Sequence, residues 1–161
     1  MRLRSRDSAK MADRAETGRV NMKRKKILVV DDELSFTRLL KLNLEDTDDY
    51  EVRLETGAER ALRTARAFEP DLILLDVVMP QMRGDQLAAQ LRADTRLGTT
   101  PVVFLSAAVE KQRVRENDGL INGQPFIAKP ASVEEIVEGI ERHLTGRPSQ
   151  GSSPATLDCS A

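Results

Sequence analysis

The residues of this 161-residue chain best suited to chemistry stand directly after short apolar runs. Asp31 and Asp32 follow Ile27-Leu28-Val29-Val30, Asp76 follows Leu72-Ile73-Leu74-Leu75, and Ser106 follows Val102-Val103-Phe104-Leu105. Lys129 follows a weaker run ending at Ala128. Three carboxylates gathered in one place repel one another unless a cation sits among them, and hard oxygen ligands with positions left for water suit octahedral Mg²⁺. A lysine ammonium adds a positive point charge and Ser106 a hydroxyl donor, a pair able to hold the oxygens of a transferring phosphoryl group. An aspartate in that company can be the nucleophile and form an aspartyl-phosphate. Taken singly, each residue has an ordinary reading: Asp31-Asp32 as helix-capping acids, Asp76 and Ser106 as turn residues, Lys129 as a surface lysine. Joint placement is what favours chemistry.

That placement depends on the fold. Apolar runs without alternation suit strands buried on both faces, as in a parallel sheet. Between them lie helical patterns: Phe36, Leu39, Leu40, Leu42 and Leu44; then Ala58, Ala61, Leu62, Ala65 and Phe68 behind a Thr56/Glu59 capping box; then Leu87, Ala88 and Leu91. A last helix carries Ile136, Val137, Ile140 and Leu144 after a Ser132/Glu135 box, with Gly146 as its stop. Weaker strands at 51–54 and 125–128 complete a β-α unit repeated five times. The expected fold is therefore α/β: a doubly wound, right-handed five-stranded parallel sheet with helices on both faces. Ligands of such sheets bind outside the carboxyl ends of the strands, where strand order reverses, and Asp31, Asp32, Asp76, Ser106 and Lys129 all fall at that edge.

The motifs Lys26-Ile27-Leu28-Val29-Val30-Asp31-Asp32-Glu33, Asp76-Val77-Val78-Met79-Pro80 with Gly84, Leu105-Ser106-Ala107 and Phe126-Ile127-Ala128-Lys129-Pro130 resemble the receiver domain of two-component response regulators (CheY-like). The resemblance covers about residues 25–144, and four motifs in order make it specific. It implies the flavodoxin-like strand order 2-1-3-4-5. It also implies that Asp76 accepts phosphate from a phosphohistidine and that Mg²⁺ is held by Asp31, Asp32, Asp76 and the Val78 carbonyl. Ser106 and Lys129 would contact the phosphoryl group, Ser106 and Phe126 would form the switch, and the Lys129-Pro130 bond would be cis. Val78 and Ala108 would flank the path of the water that hydrolyses the aspartyl-phosphate.

The chain also departs from the resemblance. Arg83 stands where the family usually has an acid, Ala131 where it often has an aromatic, and Phe126 lacks the hydroxyl of the common tyrosine. Asn117-Asp118-Gly119-Leu120-Ile121-Asn122-Gly123-Gln124-Pro125 is rich in helix breakers, so helix four should be short and the usual partner face altered. Two rival functions share parts of this pattern: a receiver-like scaffold that works unphosphorylated, and a haloacid-dehalogenase-like phosphatase. The phosphatase needs an acid two residues after its nucleophile, where Val78 follows Asp76.

Composition bounds the rest. Hydrophobic residues at 40% and charged residues at 32% suit a globular domain. Residues 1–26 hold 10 Lys/Arg against 3 Asp/Glu, leaving 15 against 23 and an acidic remainder. Residues 1–22 read as a disordered basic arm, 23–146 as the receiver domain and 147–161 as a disordered tail. The cluster Lys23-Arg24-Lys25-Lys26 has no interleaved aromatics, so nucleic acid is not an expected partner. Cys159 and His143 are the only cysteine and histidine, which excludes an internal disulfide and cysteine or H-E-x-x-H zinc sites. His143 reads as a solvated residue in a last helical turn. With no membrane span and no signal peptide, a cytoplasmic location is expected. Only 17 residues follow Leu144, too few for an output domain. The expectation is a stand-alone receiver and not an enzyme, served by a sensor histidine kinase or phosphotransfer protein. It would act through an unknown output protein, with a homodimer left open.

Overall fold

The computed structural model describes residues 23–144. The expectations for the arm at 1–22 and the tail at 147–161, with Gly146 and Cys159, lie outside them. Three strands grow from the apolar runs: β1 (Lys25–Val30), β3 (Leu72–Asp76) and β4 (Val102–Ser106). Ile27 to Val30 and Leu72 to Leu75 are all inaccessible to solvent, as strands covered on both faces must be. The remaining elements are α1 (Leu34–Asp46), β2 (Tyr50–Glu55), α2 (Ala58–Phe68), α3 (Gly84–Ala93), α4 (Lys111–Glu116), β5 (Leu120–Ile121), β6 (Gln124–Ala128) and α5 (Val133–Leu144).

The sheet runs β2-β1-β3-β4-β6-β5. Its five long strands are parallel and follow the expected 2-1-3-4-5 order. Alternate residues feed two cores. Leu28, Val30, Ile73, Leu75, Val102 and Phe104 meet α2 and α3 on one face. Ile27, Val29, Leu72, Leu74, Val103 and Leu105 meet α1 and α5 on the other.

The sixth strand departs from the expected five. β5 pairs antiparallel with β6, Leu120 opposite Pro125 and Ile121 opposite Gln124. Asn122 and Gly123 between them have φ of 52° and 75°. Positive φ at both central residues is the mark of a type I′ hairpin turn, which Asn-Gly strongly favours. In the sequence these residues mark only a break in helix four. That helix is indeed short: α4 has six residues and none is buried.

Three further expectations need correction. The Thr56/Glu59 box does not form: Gly57 takes the N-cap of α2 with no side-chain capping bond, and the Thr56 hydroxyl accepts from Arg60 instead. In α1 the buried face is Thr37, Leu40 and Leu44, while Leu39 and Leu42 are exposed. Five apolar residues in nine span more of a helix than one apolar stripe covers. His143 is half-buried, not solvated, and burial, then the neighbouring Arg142, lowers its pKa from the ordinary 6.5. The Ser132/Glu135 box does form, Ser132 N–H donating to Glu135 at 2.9 Å and Glu135 N–H to the Ser132 hydroxyl at 3.2 Å.

Candidate functional site

Asp31 stands one residue past β1 and is fully buried. Its backbone N–H donates to the Glu55 carbonyl of β2 at 3.0 Å, and its Oδ1 accepts from the Glu33 N–H at 2.9 Å, which turns the chain into α1. Asp32 beside it is exposed. Asp76 closes β3, is 7% exposed, and its Oδ1 accepts from the Val78 N–H at 3.3 Å. One carboxylate oxygen from each of Asp31, Asp32 and Asp76 lies within 4.8 Å of the other two.

The cation comes from the far side of the sheet. The Lys129 N–H donates to the Ser106 carbonyl at 2.8 Å, and the Lys129-Pro130 peptide is cis. The Lys129 ammonium donates to Asp31 Oδ2, lies 3.9 Å from Asp76 Oδ2, and sits 4.8 Å from the centre of the Phe36 ring. Ser106 is buried, and its Oγ accepts from the Ala108 N–H at 3.1 Å. Burial pushes the Asp76 carboxyl above its usual range; Lys129 opposes that rise, and Asp31 and Asp32 add to it.

The loop after β3 is shaped by Gly84. A Cβ there would lie 2.2 Å from the Asp76 carbonyl oxygen, so only glycine lets its N–H reach the Val77 carbonyl at 3.0 Å. Val78 in this loop is 66% exposed. On β6, Phe126 is half-buried and stacks on Phe104 with ring centroids 5.0 Å apart. It borders a cleft of about 600 Å³ between α4 and α5. All the predicted side chains thus stand at one edge, Phe126 a little apart on the cleft. In the sequence Phe36 marks only a helix face, and no signal there ties it to Lys129 so far along the chain.

Residues 27–141 match the response regulator receiver domain family. The chain belongs to it. This receiver is 36% identical over 131 residues to the response regulator Rre1 of Synechocystis sp., covering 80% of this chain and 54% of that one. It is 30% identical to the polar-differentiation response regulator DivK of Brucella ovis, covering 74% of this chain and 96% of DivK. Among solved structures, the chemotaxis protein CheY4 of Vibrio cholerae superposes with a TM-score of 0.63 at 26% identity, covering 74% of this receiver and 98% of CheY4. The chain spans about half the length of the first curated relatives, 54% of Rre1 and 45% of the Bacillus subtilis regulator PhoP. A receiver is a signalling domain of a two-component system, which leaves the phosphatase alternative without support. No helix among the described residues is long and apolar enough to cross a membrane.

Proposed function

We propose that Asp76 of this receiver accepts a phosphoryl group from a phosphohistidine on a sensor histidine kinase or phosphotransfer protein. An oxygen of the Asp76 carboxylate attacks phosphorus; the O–P bond forms, the P–N bond breaks, and the imidazole nitrogen leaves with its electron pair. The observation that carries this reading is the meeting of three carboxylates within 4.8 Å of one another beside a single lysine ammonium. Lys129 balances one of three negative charges, and the exposed Asp32 leaves the group open to solvent on one side. That hard-oxygen donor set fits Mg²⁺, with Asp31, Asp32, Asp76 and the Val78 carbonyl as the residues that would hold it. A magnesium ion held there would supply positive charge toward the phosphoryl oxygens. Lys129 and Ser106 orient the same oxygens as the phosphoryl group arrives.

The output is altered protein binding. Ser106 moving toward the phosphoryl group would leave room for Phe126 to turn, and the cleft it borders lies on the α4–β6–α5 face, where such a turn would be read by a partner. The match to nearly the whole of DivK favours a receiver that acts as a separate chain.

Acetyl phosphate with Mg²⁺ should add one base- and hydroxylamine-labile phosphate, read by intact mass spectrometry. Asp76→Asn should abolish it and EDTA should suppress it. Unchanged labelling of Asp76→Asn would sink the assignment, and labelling that persists in EDTA would remove the metal role of Asp31 and Asp32.

A further inference from the structure

Lys129 must satisfy two conflicting demands. Its ammonium has to stay at the mouth of an acidic site before phosphorylation, yet remain free to turn to the phosphoryl oxygens afterwards. Ion pairing with Asp31 alone serves the first demand and works against the second, since drawing the lysine away leaves the Asp31 carboxylate buried without its partner. The structure offers a third neighbour. The Phe36 ring, half-buried on the first turn of α1, lies with its centre 4.8 Å from the Lys129 nitrogen. That is within the roughly 6 Å over which an aromatic face attracts a cation. Lys129 is only 13% exposed, so little water screens the contact.

We infer that Phe36 is a positioning residue for Lys129, holding its ammonium at the site mouth through a cation–π contact; the inference rests on the phosphoacceptor reading of the site. An acid at position 36 would hold the lysine too, but it would add a fourth negative charge and compete with the phosphoryl group for Lys129. An aliphatic side chain would fill the volume and hold nothing. The aromatic face restrains the cation without adding charge or a directional hydrogen bond, so the ammonium can pivot from Asp31 and Asp76 to new oxygens.

The test needs a readout that packing alone does not move. In the full chain, the ε-methylene and ε-ammonium resonances of Lys129, assigned by comparison with Lys129→Arg, should carry the upfield ring-current shift of a nucleus over an aromatic face. Phe36→Leu should return them to ordinary lysine positions, and Phe36→Tyr should keep them displaced. With acetyl phosphate and Mg²⁺, Phe36→Leu should slow labelling of Asp76 by roughly three- to tenfold, the size expected of a partly shielded cation–π contact. Phe36→Tyr should stay within about twofold of the parent. Lys129 resonances that do not respond to Phe36→Leu would overturn the inference, as would equal labelling rates in the Leu and Tyr variants. If the parent itself fails to label, the phosphoacceptor reading falls, and the resonances alone still decide whether the ring holds the lysine.

Discussion

Asp76 owes its position to neighbours that do no chemistry. Its carbonyl occupies the space that a side chain at Gly84 would need, and the Val78 N–H steadies its carboxylate. The residues that could influence how long a phosphate stays there are Val78 and Ala108, both exposed and neither able to hydrogen-bond a water through its side chain. Orienting groups commonly contribute about 10²–10⁴-fold to such a step, so their absence predicts slow self-dephosphorylation. A Val78→Asn, Ala108→Glu double variant should lose labelled phosphate faster than the parent in a time course; equal decay would clear both side chains of any part in the lifetime. His143 supports a prediction about pH. Its folded pKa lies below the ordinary 6.5 because burial disfavours the charged ring. The unfolded chain therefore takes up the proton first, and stability should fall as pH drops below about 6.5 toward the folded value. Urea midpoints compared on either side of that range should move less in His143→Gln than in the parent. The edge carboxylates, Ser106 and Lys129 were legible because each follows an apolar run. The half-burial of His143 and the Phe36 contact were not, since both depend on side-chain packing that spacing alone does not reveal.

At the scale of elements, α4 stands out because it buries nothing. It is tied to α5 by Glu135, which Lys111 reaches at 3.0 Å and Arg115 at 3.4 Å. The same carboxylate caps the start of α5, so one residue serves two elements, and these contacts hold it below the usual carboxylate range. Exposed ion pairs contribute little, so α4 should exchange its amides fastest of the five helices. Glu135→Ala should speed that exchange further and cost about 1 kcal/mol through the lost α5 cap. Hydrogen exchange read by mass spectrometry decides it: protection in α4 equal to that in α2 would contradict the account. Sequence periodicity identified α2, α3 and α5 because their apolar residues share one face. It overreached in α1, where Leu39 and Leu42 point to solvent, and at Thr56, where Gly57 took the cap.

Across the whole molecule, the parallel order of the five long strands, and with it the convergence of the site, was readable from apolar runs separated by helical patterns. The hairpin was not, because a turn signal inside a supposed helix end reads as disruption until its partner strand is recognised. That hairpin bears on colloidal behaviour. Without it β6 would be a bare sheet margin able to template a strand from another molecule. Here Pro125 has no N–H to offer and the Phe126 N–H is already donated to the Gly119 carbonyl at 2.7 Å. Gly123→Val, placing a β-branched residue at φ 75°, should loosen this cover at a cost of about 1–2 kcal/mol. Concentrated samples of the variant should scatter more light on storage and bind an amyloid dye, while the parent stays clear. A two-residue strand would then guard this one margin of the sheet against pairing between molecules, β2 forming the other margin.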